Sequence, residues 1–165
     1  MATILLMHGY IGFGKTTIAK KFEEMGYIRY THDEFMSKIY GDDPSNEDFE
    51  ANYNTVKELI LDLAYANIKQ GKNIILDFGF WTLDSRVEIM NILSKWDGIF
   101  SIIWCNVTCD LTTARNRCIT RDNERLDGTL KVPVEIFDMK VDRFQPMSKY
   151  KDYSNITFTV DTNDQ

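Results

Sequence analysis

The first stretch of the sequence that could do chemistry is MHGYIGFGKTT, residues 7–17. Gly9, four further residues, Gly14, Lys15 and Thr16 match the pattern G-x-x-x-x-G-K-[ST], whose glycines let successive backbone N–H groups approach phosphate oxygens. Lys15 would add a full positive charge, and Thr16 a hydroxyl ligand for Mg²⁺. An ordinary glycine-rich turn would need neither of them. The predicted phosphate-binding residues are Gly9, Gly12, Phe13, Gly14, Lys15, Thr16 and Thr17.

Two carboxylates each follow an apolar run and could serve the same site. Asp33, at the end of YIRYTHD, could accept a proton from an attacking hydroxyl. It could also cap the helix that follows, and the two roles are compatible. Asp77, after NIIL, is Walker-B-like and could hold the water shell of a metal ion or orient the substrate. His32, beside Asp33, is more typical of a hydrogen-bonded structural residue.

Arginines are concentrated in the segment ARNRCITRDNER, residues 114–125. Arg117, Arg121 and Arg125 are spaced by four, so a helix would place them on one face. They could form a solvated face paired with nearby carboxylates, or they could stabilise the charge of a transferred phosphoryl group.

The aromatic segment FGFW, residues 78–81, also allows two interpretations. Trp81 could form a wall for a compact organic acceptor, whereas Phe78 and Phe80 fit a hydrophobic core better.

Short apolar segments alternate with longer helical ones along the chain, which predicts an α/β sheet. The expected strands are TILLMH, YIRYTH, NIILDFGF, IFSIIWCNV and NITFTVDT. The expected helices are KTTIAKKFEEMG, EFMSKIY, SNEDFEANYNTVKELILDLAYANIKQG, SRVEIMNILSKW and DLTTARNRCITRDNER. Between residues 122 and 150 the pattern places boundaries only to within several residues.

Length and composition restrict the class of protein. The chain has 165 residues, 44% of them hydrophobic, which predicts one domain over residues 1–165. A net charge of −6 argues against a general attraction to nucleic acid or anionic lipid. Three cysteines without a CxxC pair favour reduced thiols over a disulfide framework or a zinc site. No apolar run approaches the length of a membrane span and no signal peptide precedes the first strand, so we expect a cytoplasmic protein without a membrane partner.

Five segments together resemble the small P-loop kinases related to polynucleotide kinases, zeta toxins and chloramphenicol phosphotransferase, and in particular a branch of predicted bacterial kinases. The segments are GYIGFGKTT, THDEF, IILDFGFWTLDSR, RNRCITR and TVDT, which span nearly the whole chain. The resemblance implies a P-loop NTPase fold, with a parallel five-stranded sheet, helices on both faces and an arginine-bearing lid at roughly residues 117–132. It also implies ATP with Mg²⁺ held by Thr16 and Asp77.

The resemblance further assigns roles to individual side chains. It implies that Asp33 is the base on the substrate side and that Arg117 and Arg121 are lid arginines with a catalytic role beside Lys15. Arg86 falls on an arginine that recurs in this branch and would bind substrate or brace the site. The residues expected to contact substrate are therefore Asp33, Asp77, Trp81 and Arg86.

One departure from polynucleotide kinases bears on the acceptor. Those enzymes carry an arginine three residues after the base to grip a phosphate of the acceptor, whereas this chain has Met36. We therefore expect an ATP-dependent kinase that phosphorylates a hydroxyl of a small molecule, with nucleic acid an unlikely partner. The alternatives are a nucleotide-gated binding or switch protein and a polynucleotide 5′-hydroxyl kinase, and the pattern leaves ATP against GTP open.

Overall fold

The computed structural model describes residues 1–41, 48–124, 132–150, 153 and 156–164. Its sheet has five parallel strands in the order β2-β3-β1-β4-β5, which confirms the predicted α/β class and strand number. The strands are β1 (Ala2–His8), β2 (Ile28–Thr31), β3 (Ile74–Gly79), β4 (Phe100–Thr108) and β5 (Thr157–Asp161).

Helices connect the strands, and the first five match the helices predicted from the apolar spacing, whereas the last two lie in a segment for which no helix was predicted. The helices are α1 (Lys15–Glu24), α2 (His32–Tyr40), α3 (Phe49–Lys69), α4 (Leu83–Leu93), α5 (Leu111–Glu124), α6 (Val134–Lys140) and α7 (Met147–Tyr150), with a 3₁₀ turn at Val141–Arg143. The predicted start of α3 at residues 45–47 and the predicted lid residues 125–131 lie outside the described residues. No helix in the described part of the chain combines the length and the apolarity that crossing a membrane requires.

The sheet separates two hydrophobic cores because alternate strand residues point to opposite faces. One core joins β-strand residues such as Ile4, Leu6 and Leu76 to Ile60 of α3 and to residues of α4. The other core lies on the opposite face and joins β1, β3 and β4 to α1, α5 and α6; its strand members are Leu5, Met7, Ile75, Cys105 and Val107. Helices on both faces explain why the strands read as continuous apolar runs.

Parallel strands end at the same edge of the sheet, and this determines where the candidate residues meet. Thr31 of β2 lies in register with Asp77 of β3, and His8 of β1 lies in register with Gly79. The loop after β1 is joined to β3 by a hydrogen bond from the Gly9 N–H to the Gly79 carbonyl, 3.1 Å. The phosphate loop and the two predicted carboxylates therefore share the carboxyl edge, where open α/β sheets bind ligands.

Helix α3 offers a matched test of the core. Ile60 is fully buried, whereas its neighbour Leu59, part of the apolar pattern in the sequence, is 42% exposed. Ile60→Ala should lower the free energy of unfolding by about 2–5 kcal/mol because it removes buried methylene groups and leaves a cavity. Leu59→Ala should cost less than about 1 kcal/mol. Urea unfolding measures both, and equal losses would contradict the assigned face of α3.

Candidate active site

The loop between β1 and α1 presents backbone N–H groups to solvent. Gly12 and Gly14 have φ angles of 73° and 87°, and Gly14 caps α1 without a side-chain cap bond. Within the described residues, the N–H groups of Gly12, Gly14, Lys15 and Thr16 donate to no backbone oxygen. Open amides at a helix N-terminus attract anions, so this geometry suits phosphate.

Close packing reinforces the need for glycine in this loop. A Cβ on Gly12 would lie 2.3 Å from the Ala114 carbonyl oxygen of α5, and one on Gly9 would lie 2.9 Å from the Val107 carbonyl oxygen. Both contacts are too short for a carbon atom, and both are to backbone. The loop is thus seated directly against β4 and α5.

Lys15 lies at the centre of the charged groups. Its Nζ donates to the Tyr10 carbonyl oxygen at 2.8 Å. Burial lowers the pKa of Lys15, while the nearby carboxylates of Asp77 and Asp33 act to raise it. Lys15 is therefore close enough to both predicted carboxylates for their charges to act on it.

Asp33 reaches solvent within this site. It lies in the first turn of α2, whose N-cap is Thr31 and has no side-chain cap bond, so the cap role considered for Asp33 is not found. The side chain is accessible, but the surrounding protein desolvates it enough to raise its pKa, against the lowering effect of Lys15 and Arg121. A carboxylate that is both accessible and desolvated is suited to accepting a proton.

Asp77 is buried, with only 3% of its side chain exposed. Desolvation raises its pKa, and Lys15 and Arg29 oppose that shift. Its Oδ2 atom has no hydrogen-bond partner among the described residues. An exposed Thr16 hydroxyl and this carboxylate fit Mg²⁺, which binds few protein oxygens and keeps several waters. A group of three or more metal-ligating side chains is not found in the described ranges.

The arginines of α5 have different environments. Arg117 donates to the carbonyl oxygens of Gly12, at 3.3 Å, and Thr162, and to the Thr162 hydroxyl at 3.0 Å. Arg121 is exposed, and its charge acts on Lys15 and Asp33. Arg115 pairs with Asp138 at 2.8 Å instead of facing the site. Arg125 lies outside the described residues.

Thr162, the last residue of TVDT, fixes the loop from the far side. Its buried hydroxyl donates to the Phe13 carbonyl oxygen at 2.7 Å, and a Cβ on Gly14 would lie 3.5 Å from its methyl carbon. Sequence reasoning found the TVDT segment by resemblance but gave Thr162 no role. No local signal marks it, because its partners Phe13 and Arg117 are 149 and 45 residues away in the chain.

A groove of about 440 Å³ runs along α5 beside the loop. It is lined by Thr113, Asn116, Arg117, Thr120, Arg121 and Glu124. These residues all lie on one face of α5, and the groove is open to solvent.

Arg86 and Trp81 are placed behind the site. Arg86 is fully buried, and its Nη1 donates to the carbonyl oxygens of Phe80 and Gln145, both at 3.1 Å. Of the two roles considered for Arg86, this geometry supports bracing, since it holds Phe80 at a φ of 45°, a rare angle for a bulky residue. Trp81 packs against Tyr10, with ring centroids 4.8 Å apart, in the core that contains α1.

Helices α2 and α3 pack together next to Asp33. The His32 Nε2 lies 2.7 Å from the Tyr53 carbonyl oxygen and therefore donates to it, and the centroids of the His32 and Tyr53 rings are 3.5 Å apart with the ring planes tilted by 34°. Burial raises the pKa of Tyr53 to about 12, with contributions from Asp33 and Glu88. Met36 is buried and Lys57 is paired with Glu88 at 2.6 Å.

Arg29, which sequence reasoning missed, lies beside Asp77. It is buried in β2 and contacts Glu23, Glu34 and Asp77. A signal was available, because an arginine in the middle of an apolar strand on a sheet covered by helices must find carboxylate partners.

Residues 4–147 match the family model described as an AAA domain. The chain belongs to this family. No match was found among curated proteins. The match and the fold confirm the expected P-loop NTPase architecture and are consistent with a small P-loop kinase.

Solved structures with the same fold include three informative neighbours. A candidate kinase from Chloroflexus aurantiacus is 18% identical, with 99% of this chain and 89% of that chain covered and a TM-score of 0.75. The Pnkp1/Rnl/Hen1 RNA repair complex contains a chain that is 20% identical, with a TM-score of 0.69. The match covers 91% of this chain and 46% of that chain. A sugar kinase from Janibacter sp. HTCC2649 is 14% identical, with coverages of 98% and 85% and a TM-score of 0.63.

His32 makes the stability of the protein depend on pH. Burial, aided by the charge of Lys57, lowers the pKa of His32 from 6.5 to about 4. Between these values the unfolded chain binds the proton more readily, so His32 should destabilise the fold by up to about 3 kcal/mol as pH falls from 7 to 4. We expect His32→Gln to remove this part of the pH dependence. Urea unfolding of both proteins across that range measures the difference, and parallel curves would contradict the assignment.

Proposed function

We propose that this protein is an ATP-dependent kinase that transfers the γ-phosphoryl group to a hydroxyl of a small molecule. The observation that carries the proposal is the meeting of an open phosphate loop, Lys15 and an accessible desolvated Asp33 at one edge of the sheet. A loop alone would suit any nucleotide-binding protein. The accessible carboxylate beside it supplies what transfer to a hydroxyl requires.

In this mechanism the protein acts mainly by positioning and by electrostatics. The open amides of the loop and Lys15 hold the β- and γ-phosphates. Thr16 and Asp77 would hold Mg²⁺, which would supply positive charge to neutralise the phosphate oxygens. Asp33 orients the acceptor hydroxyl and receives its proton as the oxygen bonds to the γ-phosphorus, while the bond from that phosphorus to the bridging oxygen breaks and ADP leaves.

The arginines of α5 take separate parts in the proposal. Arg121, exposed and close enough to influence Lys15 and Asp33, stabilises charge on the transferred group. Arg117 acts through its bonds to Gly12 and Thr162 and keeps the loop in shape. The groove along α5 is the proposed place for the rest of the nucleotide.

The acceptor side favours a small molecule without a phosphate group. Met36 is buried, so it presents nothing to the acceptor, and the nearby Lys57 is engaged by Glu88. The sugar kinase neighbour supports a small acceptor. The Pnkp1-containing neighbour supports the second candidate, a polynucleotide 5′-hydroxyl kinase.

A product screen separates these candidates. The protein is incubated with ATP or GTP, Mg²⁺ and either a library of small alcohols or oligonucleotides with 5′-hydroxyl ends, and phosphorylated products are detected by mass spectrometry. We expect products from the small alcohols with ATP. Nucleotide binding without transfer to any acceptor would favour a nucleotide-gated switch instead.

Lys15→Ala should abolish any transfer found, because it removes the charge that holds the transferred phosphate. Lys20→Ala is the matched control, since Lys20 is an exposed lysine on the same helix. Initial rates of product formation measure both variants. Full activity in Lys15→Ala would show that the proposed site is wrong.

Asp33→Asn should lower transfer by on the order of a hundredfold or more, because an amide takes no proton from the acceptor. It should leave the affinity for ATP and Mg²⁺ near that of the wild type, since the loop, Lys15 and Thr16 are unchanged. Asp62→Asn, at an exposed aspartate of α3, is the matched control. Undiminished transfer in a folded Asp33→Asn protein would exclude Asp33 as the base and make Asp77 the next candidate.

A further inference from the structure

Arg29 is a cation whose side chain is buried, and the proposed mechanism gives it no role. It lies in β2, between the half-buried Ile28 and the buried Tyr30, and 6% of its side chain is exposed. Burying a guanidinium group is costly unless carboxylates and hydrogen bonds compensate it. The contacts of Arg29 therefore indicate what it does.

Those contacts reach three elements of the site. Nε donates to Glu23 of α1 at 3.3 Å, and Nη2 donates to Glu34 of α2 at 2.5 Å. Nη1 lies 3.7 Å from Oδ2 of Asp77 on β3. Helix α1 begins at the phosphate loop, and Glu34 adjoins Asp33. One rigid guanidinium group thus connects the elements that carry the loop, the proposed base and the proposed metal ligand.

The contact with Asp77 differs from the other two. The 3.7 Å separation is an ion pair longer than a hydrogen bond. Neither Nη1 nor Oδ2 has a hydrogen-bond partner among the described residues, although both atoms are buried. Asp77 is therefore held by charge on one side while its oxygen keeps its capacity to bind a further ligand.

Lys15 is the other cation that favours the charged form of Asp77. In the proposed function Lys15 turns to the phosphates, which leaves Arg29 as the fixed counter-charge of Asp77. We propose that Arg29 is a positioning residue that holds the Asp77 carboxylate for Mg²⁺ and keeps α1 and α2 in place around it. This inference rests on the proposed function, since it assumes a nucleotide and Mg²⁺ at the loop.

The test measures binding instead of turnover. The affinity of a fluorescent ATP analogue is determined with Mg²⁺ and with EDTA for the wild type, Arg29→Gln, Asp77→Asn and the double variant. Arg115→Gln is the matched control, because it removes an arginine whose exposed pair with Asp138 lies outside the site.

We expect Mg²⁺ to tighten binding in the wild type and in Arg115→Gln. In Arg29→Gln the increase in nucleotide affinity caused by Mg²⁺ should be smaller by about tenfold or more, which is the effect of removing an outer-shell partner of a metal ligand. The affinity measured in EDTA should change little. The double variant should lose no more of the gain than Asp77→Asn alone, because the two residues act as one unit. Arg29→Lys should retain more of the Mg²⁺-dependent increase in affinity than Arg29→Gln does, since an ammonium group keeps the positive charge but lacks the planar fork of the guanidinium.

The outcomes distinguish this inference from the proposed function. A folded Arg29→Gln protein that keeps the full Mg²⁺ gain, with only a lower melting temperature, would make Arg29 a stability residue and overturn the positioning role. If Arg29→Gln does not fold, the same affinities with Mg²⁺ and with EDTA are compared for Arg29→Lys. Failure of both variants to fold would also overturn the positioning role. A wild-type protein whose nucleotide affinity does not respond to Mg²⁺ would instead overturn the proposed metal site, and this inference with it.

Discussion

The site depends on the cost of holding charge away from water. Lys15, Asp77 and Arg29 are partly or wholly buried, and each is tolerable only because an opposite charge lies beside it. The same mutual dependence fixes positions, since a buried charge that moves away from its partner loses its compensation. The pairing of charges thereby makes the elements around the site rigid with respect to one another.

The phosphate loop is rigid for a different reason. Glycines let it take a backbone shape that exposes its amides, but that same freedom would leave an isolated loop mobile. The Thr162 hydroxyl and the Arg117 guanidinium bind its carbonyl groups from behind, and α5 packs against Gly12 without room for a side chain. The carbonyl side of the loop is thus satisfied by protein, and the N–H side is left for a ligand.

Local features of the sequence predicted much of this arrangement. The phosphate loop and the strand that carries Asp77 follow from residues close together in the chain, and the parallel five-stranded sheet was implied by resemblance. Arg29 and Thr162 were missed because their importance comes from partners brought near only by the fold. Trp81 and Arg86 were found by motif, but whether they face a ligand or the core depends on the turn at Phe80, which sequence does not reveal.

The bond between Lys15 and the Tyr10 carbonyl oxygen has a consequence for ligand selection. A ligand that uses the lysine must replace a neutral carbonyl partner, so a ligand with a neutral oxygen would gain almost nothing by the exchange. An oxygen that carries formal charge gains more, because a direct attraction between two full opposite charges is added to the hydrogen bond. Every ligand that binds Lys15 must therefore compete with the Tyr10 carbonyl oxygen, and the lysine selects ligands by the charge on the oxygen that they present.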